Sequence, residues 1–126
     1  MKNMPEFNKV SKNLLEVMPY QYIGKKINVC IETEEFTCLC PWTGLPDYAH
    51  LTVNYMPNKV VVELKSFKMY LQSYRMVGIV HENVVNSIMQ DLSSVLKTKN
   101  ISVELKFKIR GGITTTVSAS SNSKGN

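Results

Sequence analysis

A cysteine and an acid on one short stretch are the residues of this chain best placed to do chemistry. Cys40 precedes Pro41, and Asp47 follows Pro46 seven positions later, with Thr43 and Gly44 between them. Proline fixes its own φ and disfavours helix in the residue before it, which pushes Cys40 towards an extended conformation that presents its side chain. A thiol and a carboxylic acid facing one substrate can add sulfur to an electrophilic carbon while the acid donates a proton. The plainer alternatives are a cysteine buried as a small hydrophobe and an Asp that bonds its own backbone in a turn.

Three further segments carry usable groups. In Glu63-Leu64-Lys65-Ser66-Phe67-Lys68-Met69-Tyr70 the two lysines sit three apart, so a helix places them on one face. Near a helix N-terminus such a pair, with free backbone N–H groups, suits a phosphate; the bland reading is a solvated basic face. His81-Glu82-Asn83 opens an apolar-periodic run. A carboxylate there is either a helix-dipole partner or an acceptor for two N–H groups of a guanine-like edge. Arg110-Gly111-Gly112 is either a turn after a strand or an Arg on an anion-binding loop. Cys38, Cys40, His50 and His81 supply zinc-ligand types, but Cys-x-Cys is not a usual zinc pair spacing.

The elements that must hold these groups can be read from periodicity. Ile27, Val29 and Ile31 alternate with polar residues in a strand over Lys26 to Phe36, with Cys30 turned outward. Leu51, Val53 and Tyr55 mark a second strand, Met56-Pro57-Asn58-Lys59 a turn, and Val60 to Leu64 a strand returning as a hairpin. Phe67, Tyr70, Leu71, Tyr74 and Val77 have helical spacing, with Ser66 as cap and Gly78 as breaker. Val84, Val85, Ile88, Met89, Leu92, Val95 and Leu96 form the stripe of a second helix. Ile101 to Ile109 alternates without a fault, and Ile113 to Val117 is a last short strand after the glycines. Ser11 to Tyr20 reads as a short helix with Leu14, Leu15 and Val17 inward. Strands, two consecutive helices and strands again imply an α+β domain, an antiparallel sheet with the helix pair on one face. The expected domain spans 1–115, and 116–126 is expected to be a disordered polar tail.

Size and charge narrow the class. The 126 residues suit one domain, and their 44% hydrophobic and 20% charged content is that of a globular protein. Met1 to Tyr20 lacks a signal-peptide pattern, and no apolar run is long enough for a bilayer. An odd count of three cysteines favours free thiols in a reducing cytoplasm. A net charge of +5 fits an anionic partner, and its dispersal argues against a broad nucleic-acid face. Exposed sheet edges would favour assembly into a homo-oligomer.

Taken together, Cys40-Pro41-x-Thr43-Gly44-x-Pro46-Asp47, Glu63-Leu64-Lys65-Ser66-Phe67-Lys68-x-Tyr70, His81-Glu82 and Arg110-Gly111-Gly112 resemble the short NADPH-dependent 7-cyano-7-deazaguanine reductases, the QueF type of nitrile reductase. The resemblance implies a tunnelling fold (T-fold), related to that of GTP cyclohydrolases, whose subunits form rings with active sites between them. It implies reduction of a nitrile to an amine on the path to the tRNA base queuosine. It makes Cys40 the nucleophile that forms a thioimide and Asp47 the proton donor. It places Val62, Glu63, Leu64, His81 and Glu82 around the deazapurine and Lys65, Lys68 and Arg110 on NADPH phosphates, with no metal, no direct nucleic-acid partner and no membrane. Leu45, Val80 and Ile109 stand where Gln, Phe and Pro are more usual, and Val84 where some relatives carry a cysteine that could pair with Cys40. The rival readings are a zinc-dependent cyclohydrolase-like purine or pterin enzyme of the same fold and a basic RNA-binding module.

Overall fold

Strict alternation builds the sheet. In strand β5 (Ile101–Phe107) every odd residue is buried, and Glu104 and Lys106 face out. Strand β3 (Pro46–Tyr55) does the same with Asp47, Ala49, Leu51, Val53 and Tyr55. The two pair antiparallel, Leu51 opposite Leu105 and Val53 opposite Val103. The structure, a computed structural model, describes residues 9–121. It adds β2 (Val29–Leu39) and β6 (Thr116–Ser120) to make a four-stranded antiparallel sheet in the order β2-β3-β5-β6. A register shift between Thr33 and Phe36 rephases β2, so that Phe36 and Cys38 go inward while Cys30 stays exposed.

Helices α1 (Leu64–Gln72) and α2 (His81–Leu96) cover the apolar face. The stripe of α2 is buried at Val84, Val85, Ile88, Leu92 and Leu96. Ile88 has no exposed surface, so truncating it to Ala would cost about 2–5 kcal/mol. The helices are also tied by polar atoms: Tyr70 Oη meets Tyr74 Oη at 2.7 Å and Asp91 Oδ2 at 2.7 Å, and Tyr74 Oη meets Ser87 Oγ at 2.6 Å. This network fixes α2, and with it His81 and Glu82, relative to α1. Among the described residues no helix is long and apolar enough to cross a membrane.

Tertiary bonds overrule several local expectations. Ser11 to Tyr20 is not a helix: a 3-10 turn (Lys12–Leu14) leads into strand β1 (Val17–Pro19), and only Leu15 of the expected inward set is buried. The Glu16 N–H donates to Ser66 Oγ and its carbonyl accepts from Glu63 N–H, bonds that a helix would forfeit. Strand β4 (Val60–Val62) does not fold back on β3, because both edges of β3 are taken by β2 and β5. It pairs antiparallel with β1 instead, Val17 opposite Val62. Helix α1 starts earlier than Ser66, capped by Glu63. The polar stretch 116–120 is strand β6, with Val117 and Ala119 half-buried, so the domain does not end at 115. Residues 122–126 of the expected tail, and the first eight of the stretch searched for a signal, lie outside the described residues.

Candidate active site

The loop carrying Cys40 is short and closed on itself. β2 ends at Leu39 and β3 begins at Pro46, its partner in the pairing. Cys40 N–H donates to Leu45 O at 2.9 Å, and Gly44 N–H to Cys40 O at 2.8 Å. Leu39 also bonds the 77–79 segment, donating to Val77 O and accepting from Ile79 N–H, which draws the start of α2 alongside the loop. Gly78 makes that approach possible: a Cβ there would lie 3.3 Å from Pro41 Cα.

The two neighbouring cysteines meet opposite fates. Cys38 is fully buried, and burial, with the nearby Asp47 charge, pushes its thiol up to about 12. Cys40 lies beyond the strand and is partly exposed. Its thiol is held below the ordinary cysteine value by the Thr43 hydroxyl, by the backbone N–H groups of Thr43 and Trp42, and by the Arg110 charge. A lowered, accessible thiol is the form that reacts.

Asp47 lies opposite Cys38 in the β2–β3 pairing and is nearly buried. Its Oδ2 meets His81 Nε2 at 3.1 Å, and its Oδ1 accepts from Arg110 Nη1. Arg110 Nη2 donates to Thr43 Oγ1 at 3.1 Å. His81 is the first residue of α2, and its ring stacks on Phe107 with centroids 3.6 Å apart and planes 5° from parallel. A cavity of about 450 Å³ opens here, lined among others by Cys40, Trp42, Asp47, His81, Glu82 and Arg110. That size is in the range of small-molecule sites. Glu82 is exposed at the cavity, and its carboxylate has no ion-pair partner among the described residues.

Cys40, Asp47, His81, Glu82 and Arg110 are therefore brought together; Val62, Glu63, Leu64, Lys65 and Lys68 are not. Val62 is buried at the end of β4, and Leu64 and Lys65 are exposed. Lys68 borders a second cavity of about 620 Å³ between β2 and α1, alongside Phe36, Tyr48 and Phe67. Within one chain Val62, Glu63 and Leu64 do not line the Cys40 cavity. The expected phosphate site on free N–H groups of α1 is also corrected. Glu63 already accepts from Lys65 N–H at 2.9 Å and Ser66 N–H at 2.7 Å, so those two N–H groups are not free for a phosphate.

Thr43 and Phe107 went unnoticed in the sequence as site residues. Thr43 could have been suspected from its place between Cys40 and Asp47; Phe107 reads only as one more inward residue of β5. The candidate zinc ligands do not converge. Cys38 lies in the core, whereas His50 alternates to the other face of β3, where Nε2 meets Glu32 Oε1 at 2.8 Å. Of the unusual positions, Leu45 and Ile109 are exposed and Val80 lines the cavity.

Comparison with known proteins gives a consistent result. A sequence model of the family described as QueF-like protein matches residues 46–126. A Caldicellulosiruptor bescii protein named NADPH-dependent 7-cyano-7-deazaguanine reductase is 50% identical over 113 residues, covering 90% of this chain and 86% of the relative. A protein of the same name from Thermoanaerobacter pseudethanolicus is 47% identical, covering 90% and 85%. One from Chlorobium phaeovibrioides is 43% identical and is covered along 100% of its length. Among solved structures, the archaeosine synthase QueF-Like in the apo form matches with a TM-score of 0.72 at 23% identity, over 78% of this chain and 96% of that one. The shared architecture is the α+β tunnelling fold.

Proposed function

We propose, from the premise that this chain belongs to the family of NADPH-dependent 7-cyano-7-deazaguanine reductases, that the Cys40 cavity is where its nitrile substrate is bound and reduced. The enzyme is an oxidoreductase that takes 7-cyano-7-deazaguanine to 7-aminomethyl-7-deazaguanine, in the route to queuosine. The observation that carries the placement is an accessible thiol of lowered pKa in one cavity with a nearly buried carboxyl group.

The residues divide the work as follows. Cys40 thiolate adds to the nitrile carbon and forms a C–S bond, giving a thioimide. The nitrile nitrogen gains negative charge as the bond forms, and the Asp47 carboxylate takes up the proton released from the Cys40 thiol and passes it to that nitrogen. NADPH, when bound, supplies hydride, and two equivalents carry the four electrons from nitrile to amine. The lowered pKa that keeps Cys40 as thiolate also makes it a better leaving group from the reduced carbon. Glu82 accepts two N–H bonds from the guanine-like edge, and His81 holds the base from the same helix end.

The exposed ammonium groups of Lys65 and Lys68, three residues apart on α1, fit the phosphates of a dinucleotide. They lie away from the Cys40 cavity of their own chain, so a second copy must supply them, with Val62, Glu63 and Leu64, to complete each site. Strands β2 and β6 end the sheet on either side and offer edges for closing a homo-oligomeric ring. Three free thiols fit a reducing cytoplasm.

The test is intact mass. Incubation with 7-cyano-7-deazaguanine should raise the protein mass by one substrate, and Cys40→Ala should show no rise. An unchanged mass for the parent protein would remove the thioimide. NADPH consumed per amine should be two.

A further inference from the structure

We infer that Arg110 is a positioning residue for the reacting pair, its guanidinium fork joining Asp47 to the Thr43 hydroxyl beside Cys40 so that acid and nucleophile share one geometry before cofactor binds. The roles of Cys40 and Asp47 are those proposed above; the assignment of Arg110 goes beyond them, since the family resemblance makes it a phosphate ligand.

Both terminal nitrogens of the fork are committed. Nη1 donates to Asp47 Oδ1, and Nη2 donates to Thr43 Oγ1 at 3.1 Å. Asp47 is nearly buried and has a partner on each oxygen, His81 on Oδ2 and Arg110 on Oδ1. Without Arg110 one oxygen of a buried carboxylate would lose its partner, and the side chain would have reason to turn. At the other end of the fork, Thr43 Oγ1 accepts from Arg110 and also from Leu45 N–H at 3.2 Å. Two donors fill the lone pairs of that oxygen, so its own hydrogen is left to point at another acceptor. The hydroxyl is the largest influence lowering the Cys40 thiol pKa, and the Arg110 charge lowers it as well. Arg110 thus bears on the thiol through Thr43 as well as on the aim of Asp47.

The backbone around Arg110 is built for such a task. Arg110 N–H donates to Ile113 O at 3.0 Å, and Ile113 N–H returns to Arg110 O at 3.1 Å. The turn they close has positive φ at both central residues, 58° at Gly111 and 78° at Gly112, which glycine adopts without strain. Lys108 N–H donates to Tyr48 O at 2.9 Å, anchoring the turn to β3 next to Asp47. Arg110 therefore stands on a closed turn rather than on a loose anion-binding loop. The charged and titratable groups facing the pair are Cys38 from β2, His81 and Glu82 from α2, and Lys108 and Arg110 beyond β5. Of these only Arg110 reaches both the acid and the loop that carries the thiol. A lysine would keep the charge, but one ammonium on a single stem does not reproduce a planar two-nitrogen fork.

The experiment is run without NADPH, in a Cys30→Ser background so that the exposed Cys30 does not react. Two quantities are measured for Arg110→Gln, Arg110→Lys and Thr43→Val: the rate of covalent adduct formation with the nitrile, and the pH profile of Cys40 alkylation by iodoacetamide. Arg110→Gln should slow adduct formation by about tenfold or more and move the alkylation midpoint to higher pH. Arg110→Lys should recover part of each loss. Thr43→Val, which breaks the same link from the other side, should move the midpoint in the same direction. If Arg110→Gln leaves both quantities unchanged and only raises KM for NADPH, Arg110 is a cofactor-phosphate ligand and the inference is overturned. The alkylation arm uses no substrate. A parent protein that forms no adduct would therefore fail the reductase mechanism while still deciding the role of Arg110.

Discussion

The Cys40 cavity and the segment from Val62 to Lys68 carry similar residue types but treat them in opposite ways. Around Cys40, side chains from distant parts of the chain satisfy one another: Thr43 with Arg110, Arg110 with Asp47, Asp47 with His81, and His81 against Phe107. In the Val62–Lys68 segment the one carboxylate turns onto its own helix, and both lysines face solvent. The groups that act on reacting atoms are thus oriented within one chain. On the proposed reading, Lys65 and Lys68 are left for a second copy and the cofactor to order. Orientation matters most where bonds change, because misplacement there costs rate, whereas a phosphate tolerates a mobile ammonium.

This contrast can be broken in several ways, beginning with the largest effect. Cys40→Ala should abolish both the mass increase and turnover; turnover in that variant would move the chemistry elsewhere. Asp47→Asn should slow adduct formation by about 10²–10⁴-fold while substrate affinity holds, since an amide of the same shape cannot relay a proton. Undiminished single-turnover rates would remove Asp47 from the reaction. Glu82→Gln should weaken substrate binding by about 10- to 100-fold, because an amide cannot accept two N–H bonds; calorimetry showing equal affinity would leave the base edge unassigned. Lys65→Ala with Lys68→Ala should raise KM for NADPH and leave NADPH-free adduct formation untouched. Mixing that double variant with Cys40→Ala subunits should restore activity, because one kind of interface would then hold Cys40 and both lysines. No recovery would place the lysines and Cys40 at the site of a single chain.

The smallest effect concerns pH. A thiol with lowered pKa keeps its thiolate as pH falls, so Cys40 alkylation should reach its plateau below the pH at which a free cysteine does. Cys38, pushed up to about 12 by burial, should stay unlabelled in the native protein over the same range. Labelling of Cys38 with the fold intact would contradict its place in the core. The lone tryptophan, Trp42, is highly exposed at the cavity. Its fluorescence should change when the substrate binds, and no change would place the base away from the Cys40 loop.

Much of the scaffold was legible because apolar alternation and helical stripes record which face of an element is buried. β3, β5 and α2 followed that record closely. The same logic failed for Ser11 to Tyr20 and for Val60 to Val62, where backbone groups found partners far along the chain. Among the site residues, the presence of Cys40 and Asp47 in one cavity could be anticipated from one short loop. The attachment of Arg110 to Asp47 could not, because they are 63 positions apart and meet only when β5 pairs with β3.

Residue order alone therefore determined the α+β class, the loop that presents a thiol near an acid, and the family motifs around it. Folding decided which thiol is exposed, which carboxylate is consumed as a helix cap, and what the arginine after β5 holds. Pattern along a chain encodes where hydrocarbon must go, but a hydrogen-bond partner is whichever polar atom the packed sheet and helices deliver within about 3 Å.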